Sequence, residues 1–276
     1  MADQIHHDPH SDSDKTLDRH SHDAHQHHHH HHDYPQMNPP WAQAEGGSLH
    51  PGMWKPYEHR KFANPAPLGL SAFALTTFVL SCINMHTRGE SAPNIAVPLA
   101  FGYGGVVQLL AGMWEMAVGN TFGATALSSY GGFWIAYGLL LTPTWNILGE
   151  DGPYAGDTGS VMGFFLTGWF IFTTLLLICT LRSTVAFFGL FFFLDICFLL
   201  LACENYAHDL GNDAAKLALQ KSAGFFGFLA AFLAWYNALA GMQDSSNSFF
   251  QVPVFHFPWS DKGREQRMQK SERALA

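Results

Sequence analysis

The chain is poor in charge. Of its 276 residues only 13% are Asp, Glu, Lys or Arg, about half the usual share of a soluble domain. No Lys, Arg or His falls in the middle of any long apolar run. The four cysteines, Cys82, Cys179, Cys197 and Cys203, show no CxxC spacing and lie in or at the end of apolar runs. They read as small buried apolar residues, which excludes a disulfide framework and a zinc site. No nucleophile–base spacing, phosphate loop or metal-ligand motif occurs between residues 66 and 242, so an enzyme is not expected and no cofactor is implied. Residues 1–33 have no apolar core of the secretory kind, which leaves the first membrane span as the targeting signal. The formal charge of −8 averages two unlike halves and points to no nucleic-acid partner.

What is present is a polar tail joined to an apolar remainder. Twelve of the 17 histidines fall in the first 32 positions, with His27, His28, His29, His30, His31 and His32 in one run. Such a run binds divalent metals weakly, or it is simply a solvated tail. The composition cannot bury a core, so residues 1–33 are expected to be disordered. Residues 34–63 carry Trp41 and Trp54 with Lys55, Arg60 and Lys61, a headgroup-facing pattern.

Six apolar stretches follow, near 66–86, 96–118, 121–142, 160–181, 184–203 and 219–241. Each has about 20 residues, enough to cross a hydrocarbon layer of roughly 30 Å. The expected fold class is an all-α membrane protein with six transmembrane helices. The expected domains are a polar tail over 1–62, a membrane domain over 63–242 and a C-terminal tail over 243–276. An even number of spans puts both tails on one side. Lys55, Arg60, Lys61, Arg182, Lys262, Arg264, Arg267, Lys270 and Arg273 fall there, against Arg88, Lys216 and Lys221 opposite. That asymmetry makes both tails cytoplasmic.

The membrane domain opens on Asn64-Pro65-Ala66-Pro67-Leu68-Gly69-Leu70. Proline is at home in a first helical turn, and Asn64 is placed to cap the free N–H groups. The end so formed either attracts anions or is only a well-started helix. Small residues recur along the spans, among them Gly104, Gly105, Gly112, Gly131, Gly224 and Gly227. They allow helices to approach closely and say nothing of function. Polar groups at membrane depth need partners or a water path. The set is Glu115, Asp195, Gln108, Asn84, Thr76, Thr77, Ser128, Ser129, Tyr130 and Tyr137. Two readings stand: a polar pathway, or hydrogen bonds between helices. Without fixed cations, an anion path must rely on helix dipoles, backbone N–H groups, hydroxyls and amides. A carboxylic acid titrates near Glu, at ~4.3, and its neutral form crosses an apolar constriction far more cheaply than its anion.

These blocks together resemble the acetate uptake transporter family of fungi, bacteria and archaea. The carrying residues are Asn64 to Leu70 with Phe73-Ala-Leu-Thr-Thr77; Tyr103-Gly-Gly105 with Gln108, Ala111-Gly112 and Glu115; Gly119-Asn-Thr-Phe-Gly123 running to Ser129-Tyr130-Gly131 and Phe133-Trp134; and Ala223-Gly224, Gly227 and Trp235-Tyr236. The resemblance covers about residues 62–242, and the long leading tail is similar to the fungal branch. It implies a plasma-membrane transporter or channel for acetate, with succinate and other short carboxylates as further substrates and protons as the coupled ion. It also implies a six-helix subunit with its own narrow pore, assembled as a homohexameric ring in the lipid bilayer. By motif, Phe73, Tyr130 and Leu194 form an apolar constriction. Asn64, Pro65, Pro67, Thr76, Tyr103, Gln108 and Asn120 belong to substrate entry and binding, and Glu115 and Asp195 are the candidates for transport coupling. The family's Asn after the fifth helix falls on Asn205 or Asn212. The alternatives are an ammonia or ammonium exporter and an acetate-responsive membrane sensor.

Overall fold

The computed structural model describes residues 62–244 and 246–275, all within the unit that spans Arg60–Ala276. The histidine run, Trp41, Trp54, Lys55, Arg60 and Lys61 lie outside the described residues. Helices α1 (Ala66–Asn84), α2 (Ala96–Phe101), α3 (Gln108–Ala117), α4 (Thr121–Leu141), α5 (Thr158–Cys179), α6 (Val185–Asp209), α7 (Asp213–Met242) and α8 (Asp261–Leu275) account for nearly all regular structure. Five helical stretches are long and apolar enough to cross a membrane: Ala66–Asn84, Pro93–Ala117, Thr158–Arg182, Val185–Asp209 and Asp213–Met242. The protein is therefore an all-helical, multi-pass membrane protein. Helix α4 has 21 residues and equal reach, but Gly, Ser, Thr and Tyr dilute its apolar character.

Five helix starts are fixed by side-chain hydrogen bonds. Asn64 Oδ1 accepts the Ala66 N–H at 3.2 Å, and its Nδ2 donates to the Gly241 carbonyl at 3.3 Å. That one side chain caps α1 and ties it to the end of α7. Asn120 Oδ1 accepts from Gly123 N at 3.0 Å, Thr184 Oγ1 from Phe187 N at 3.2 Å, and Asn212 Oδ1 from Ala215 N at 3.1 Å. Helix α5 is capped from a distance, as the Asp209 carboxylate takes the Gly159 N–H at 3.0 Å and also the Ser160 N–H. Helix α6 runs past residue 203 to Asp209, and α7 begins at Asp213, six residues before its apolar stretch. Both extensions are polar helix that periodicity of apolar residues does not reveal.

The second apolar stretch is not one regular helix. Gly102–Val107 forms a π-helical segment between α2 and α3. A Cβ at Gly105 would sit 2.2 Å from the Ala100 carbonyl oxygen. The α3–α4 turn depends on Gly119, whose φ of +85° suits only glycine well.

Helix α7 packs along α1 on one side and α6 on the other; α6 packs on α5, and α3 on α4. The core is aromatic and alanine-rich, including Phe73, Tyr130, Phe133, Leu190, Leu194 and Phe198. Large apolar side chains such as Leu110, Trp114, Phe164, Ile171, Phe192 and Phe232 lie on the outside, as hydrocarbon permits. Of the four cysteines, all free, only Cys197 is buried, while Cys179 and Cys203 are exposed and Cys82 is intermediate. This corrects the expectation of four buried thiols: a cysteine in an apolar run can face outward where the surroundings are themselves apolar.

The C-terminal segment is more than a tail. Thr184 and His256 form an isolated antiparallel bridge, with Val185 N donating to the Phe255 carbonyl at 2.9 Å. Trp259 Nε1 donates to the Leu181 carbonyl at 2.7 Å, and Arg182 pairs with Asp261 at 2.8 Å. The segment thus straps the α5–α6 turn, at the end of the bundle that also holds Asn64 and Asn120. We call that end proximal and the opposite end distal.

Backbone atoms of α4 press closely on α3 at Gly112. An added Cβ would lie 2.5 Å from Ser128 N and 3.0 Å from Ser128 Cα. Gly112→Val is expected to destabilise the protein by about 1–3 kcal/mol or more. A lowered thermal midpoint in detergent, with Gly132→Ala unaffected where nothing lies near, is the readout.

Candidate functional site

Among the described residues, four cavities follow one another through the bundle. The proximal one encloses about 700 Å³, among Ala66, Leu70, Asn120 to Gly123, Thr125 to Leu127, and the facing ends of α5 and α6 down to Phe187 and Phe191. The second, about 30 Å³, lies between Phe73, Thr77, Leu80, Ser81, Asn84, Phe133, Trp134, Leu194, Cys197, Phe198 and Leu201. It shares Leu80, Asn84, Phe133 and Leu201 with a third of about 130 Å³. The third shares Met162, Glu204 and Asn205 with a fourth of about 180 Å³ at the distal mouth.

The series is broken in one place. Between the first and second cavities stands the Tyr130 ring, 3% exposed. Its centroid is 6.0 Å from Phe73, 6.4 Å from Phe191 and 6.4 Å from Phe198, on which it stacks at 10°. Phe191 faces the proximal cavity, while Phe73, Phe198 and Leu194 face the second. The Tyr130 hydroxyl lies 2.9 Å from Thr173 Oγ1. The Thr173 proton is engaged by the Trp169 carbonyl at 2.7 Å, so Tyr130 donates and Thr173 accepts. That bond turns the hydroxyl toward α5 and leaves the ring as an apolar plug.

The other residues singled out by sequence divide clearly. Asn120 lines the proximal cavity. Its Nδ2 donates to Glu115 Oε2 at 2.6 Å. Glu115, 2% exposed, thus lies one hydrogen bond behind the cavity wall, and its Oε1 has no partner among the described residues. Asn64, Pro65 and Pro67 sit at the α1–α7 junction, and Ala66 rather than they reaches the proximal cavity. Thr76 turns away from the path: its hydroxyl donates to the Ala72 carbonyl at 2.8 Å, and it packs on Gly104. Its neighbour Thr77 lines the second cavity with a buried, unpaired hydroxyl. Gln108 is fully buried with both amide atoms unpaired, and lines none of the four cavities. Tyr103 is half-buried in the π-helical segment. Asp195 Oδ1 accepts from Thr174 Oγ1 at 2.9 Å across the α5–α6 contact and is absent from the cavity walls. Of the two asparagines left open, Asn205 lines the two distal cavities and Asn212 caps α7.

Two charged wall residues escaped the sequence reading. Glu204 is 7% exposed and lines both distal cavities. Lys216 lines the outermost. Both lie in the polar helical extensions of α6 and α7, beyond the apolar stretches, and the signal was a helical spacing that continues through Glu204, Asn205 and His208.

A series of cavities through a bundle of apolar helices, broken by one aromatic plug, is the layout of a membrane transport protein. The chain belongs to the GPR1/FUN34/yaaH family, whose model matches residues 45–259. It is 64% identical over 233 residues to "Acetate permease A" of Emericella nidulans, covering 83% of this chain and 77% of that one. It is 47% identical over 220 residues to "Ammonia transport outward protein 2" of Saccharomyces cerevisiae, covering 80% and 75%. Among solved structures, "Structure of the bacterial acetate channel SatP" matches with a TM-score of 0.58 and 34% identity, over 70% of this chain and 99% of that one.

Asn120 and Asn212 are both helix caps, but only Asn120 also serves a buried carboxylate. Asn120→Ala is expected to lower stability by about 1 kcal/mol more than Asn212→Ala, the worth of one hydrogen bond to a buried acidic group. Thermal unfolding of the two variants in the same detergent measures the difference.

Proposed function

We propose that the chain carries acetate and other short carboxylic acids, succinate among them, across the plasma membrane together with protons. The observation that carries this reading is the series of four cavities interrupted by the apolar plug of Tyr130, Phe73, Phe191 and Phe198. An ionised carboxylate pays a desolvation cost of many kcal/mol in such a constriction, and a neutral acid pays far less. The names of the 64% identical permease and of the solved acetate channel point the same way.

In this reading Phe73, Tyr130 and Leu194 are the gate. Asn64, Pro65, Pro67 and Asn120 shape the proximal entry, where the free N–H groups at the start of α4 attract the anion. Glu115 holds Asn120 in place and is needed for transport; Thr76, Tyr103 and Gln108 support the path from behind its walls, in the packing of α1, the π-helical segment and α3; Asp195 is a second coupling candidate. Helix α4 makes the sixth span, both tails lie in the cytoplasm, and the leading tail of residues 1–62 and the segment after 242 flank the membrane domain. Six subunits form the ring that the family resemblance implies, each with its own path.

The ammonia reading draws its support from the names of two yeast relatives, 47% and 40% identical. It requires flux of methylammonium, which the carboxylate reading does not.

Phe73→Ala is expected to widen the gate. The ratio of lactate to acetate uptake should rise about tenfold, the scale on which an apolar pocket discriminates by size. The measurement is labelled-acid uptake by cells expressing the folded variant. An unchanged ratio removes Phe73 from the gate, and methylammonium flux without acetate flux removes the carboxylate reading altogether.

A further inference from the structure

The distal mouth holds a carboxyl group that the plug does not account for. Glu204 lies on the wall shared by the 130 and 180 Å³ cavities and is 7% exposed. Its Oε2 accepts from Asn205 Nδ2 at 2.7 Å, and Asn205 Nδ2 also donates to the Leu201 carbonyl at 2.8 Å. That arrangement fixes one oxygen. Among the described residues the other oxygen, Oε1, has no donor. A buried carboxyl is expected to be paired, and this one keeps an oxygen open where two cavities meet.

The charged and titratable groups around it are few. Lys216 on α7 and His208 on α6 line the outer cavity with it and act on it electrostatically. Neither makes an ion pair with it within 4.0 Å among the described residues. Tyr137 on α4 lines the inner cavity. Asp209 is engaged at the start of α5 by the Gly159 and Ser160 N–H groups. His86 approaches only through Gln220, at 3.2 Å. Glu204 is therefore the only carboxyl on both cavity walls among the described residues, and no ion pair locks it.

We propose that Glu204 is the proton-exchange group of the distal mouth, handing a proton to a carboxylate that arrives beside Lys216 and taking it back on the return path. The inference rests on the carboxylate-transport reading. In the inward step the O–H bond of the Glu204 carboxyl breaks and an O–H bond forms on the substrate carboxylate. Glu204 is left ionised and takes its next proton from hydronium in the distal water. The substrate goes on toward Phe73 and Tyr130 as the neutral acid, the form the plug admits at low cost. Lys216 attracts the anion to the mouth, and Asn205 holds the accepting geometry.

The test uses the full chain in proteoliposomes, with initial rates of labelled acetate uptake across a series of external pH values. Wild type is expected to show a pH profile steeper than the fraction of free neutral acid. Glu204→Gln keeps the size of the side chain and an acceptor for Asn205 but cannot titrate. Its uptake should fall roughly tenfold or more where wild type is active, and the remainder should track the neutral acid fraction. Lys216→Met should shift the wild-type profile to higher pH, since an ammonium nearby favours the ionised carboxylate. It gives the readout if Glu204→Gln fails to fold. A folded Glu204→Gln with the wild-type rates and profile overturns the proposal, as does an unshifted Lys216→Met. Acetate flux absent from the wild type itself overturns the carboxylate reading, a result separate from either.

Discussion

The arrangement depends on the packing of the Tyr130 ring. Helices α1, α5 and α6 each present aromatic side chains to it: Phe73, Trp169 with Phe172, and Phe191 with Phe198. The hydroxyl bond to Thr173 sets the ring's direction. Helix starts, glycine contacts and the strap over the α5–α6 turn all hold these helices at the spacing that lets the rings meet. Large aromatic surfaces supply most of the cohesion available where water is absent and helix association rests on van der Waals contact.

The same packing divides the bundle into two unlike halves. On the proximal side a single wide cavity is mostly apolar and carries Asn120 and the capped start of α4 on its wall. On the distal side three smaller cavities become more polar outward, from Thr77, Ser81 and Asn84 to Glu204, Asn205 and Lys216. Buried polar atoms without partners occur along this axis, at Thr77 and Trp134 next to the plug. Others, at Gln108, Ser128 and Glu115, lie where α3 meets α4. Groups of that kind are costly unless something polar visits them.

Much of this was legible in the sequence because membrane helices leave a strong apolar signal. The Asn64 cap and the Gly119-Asn120 turn were in reach of local sequence chemistry, and the meeting of Phe73 with Tyr130 was in reach only through the family resemblance. Other features were not. The π-helical segment at Gly102–Val107 hides inside an apolar run that looks continuous. Thr76 and Thr77 are adjacent, and only the rotation of α1 decides that the second faces the path. Cys203 faces outward because lipid-facing and core-facing positions are equally apolar, and Cys179 is exposed on the wall of the proximal cavity. Glu204 and Lys216 lie beyond the apolar runs, where hydropathy ends the helix but the backbone does not. The C-terminal strap joins residues about 80 apart in sequence, and no local pattern records it.

The central claim is that a carboxylic acid passes the ring plug in its neutral form. The most direct measurement is labelled acetate uptake into proteoliposomes of the purified chain, with and without an imposed inward proton gradient. The account predicts uptake well above protein-free liposomes, and accumulation beyond equilibrium only while the gradient lasts. Uptake no faster than in protein-free liposomes, or the same with and without the gradient, would contradict it.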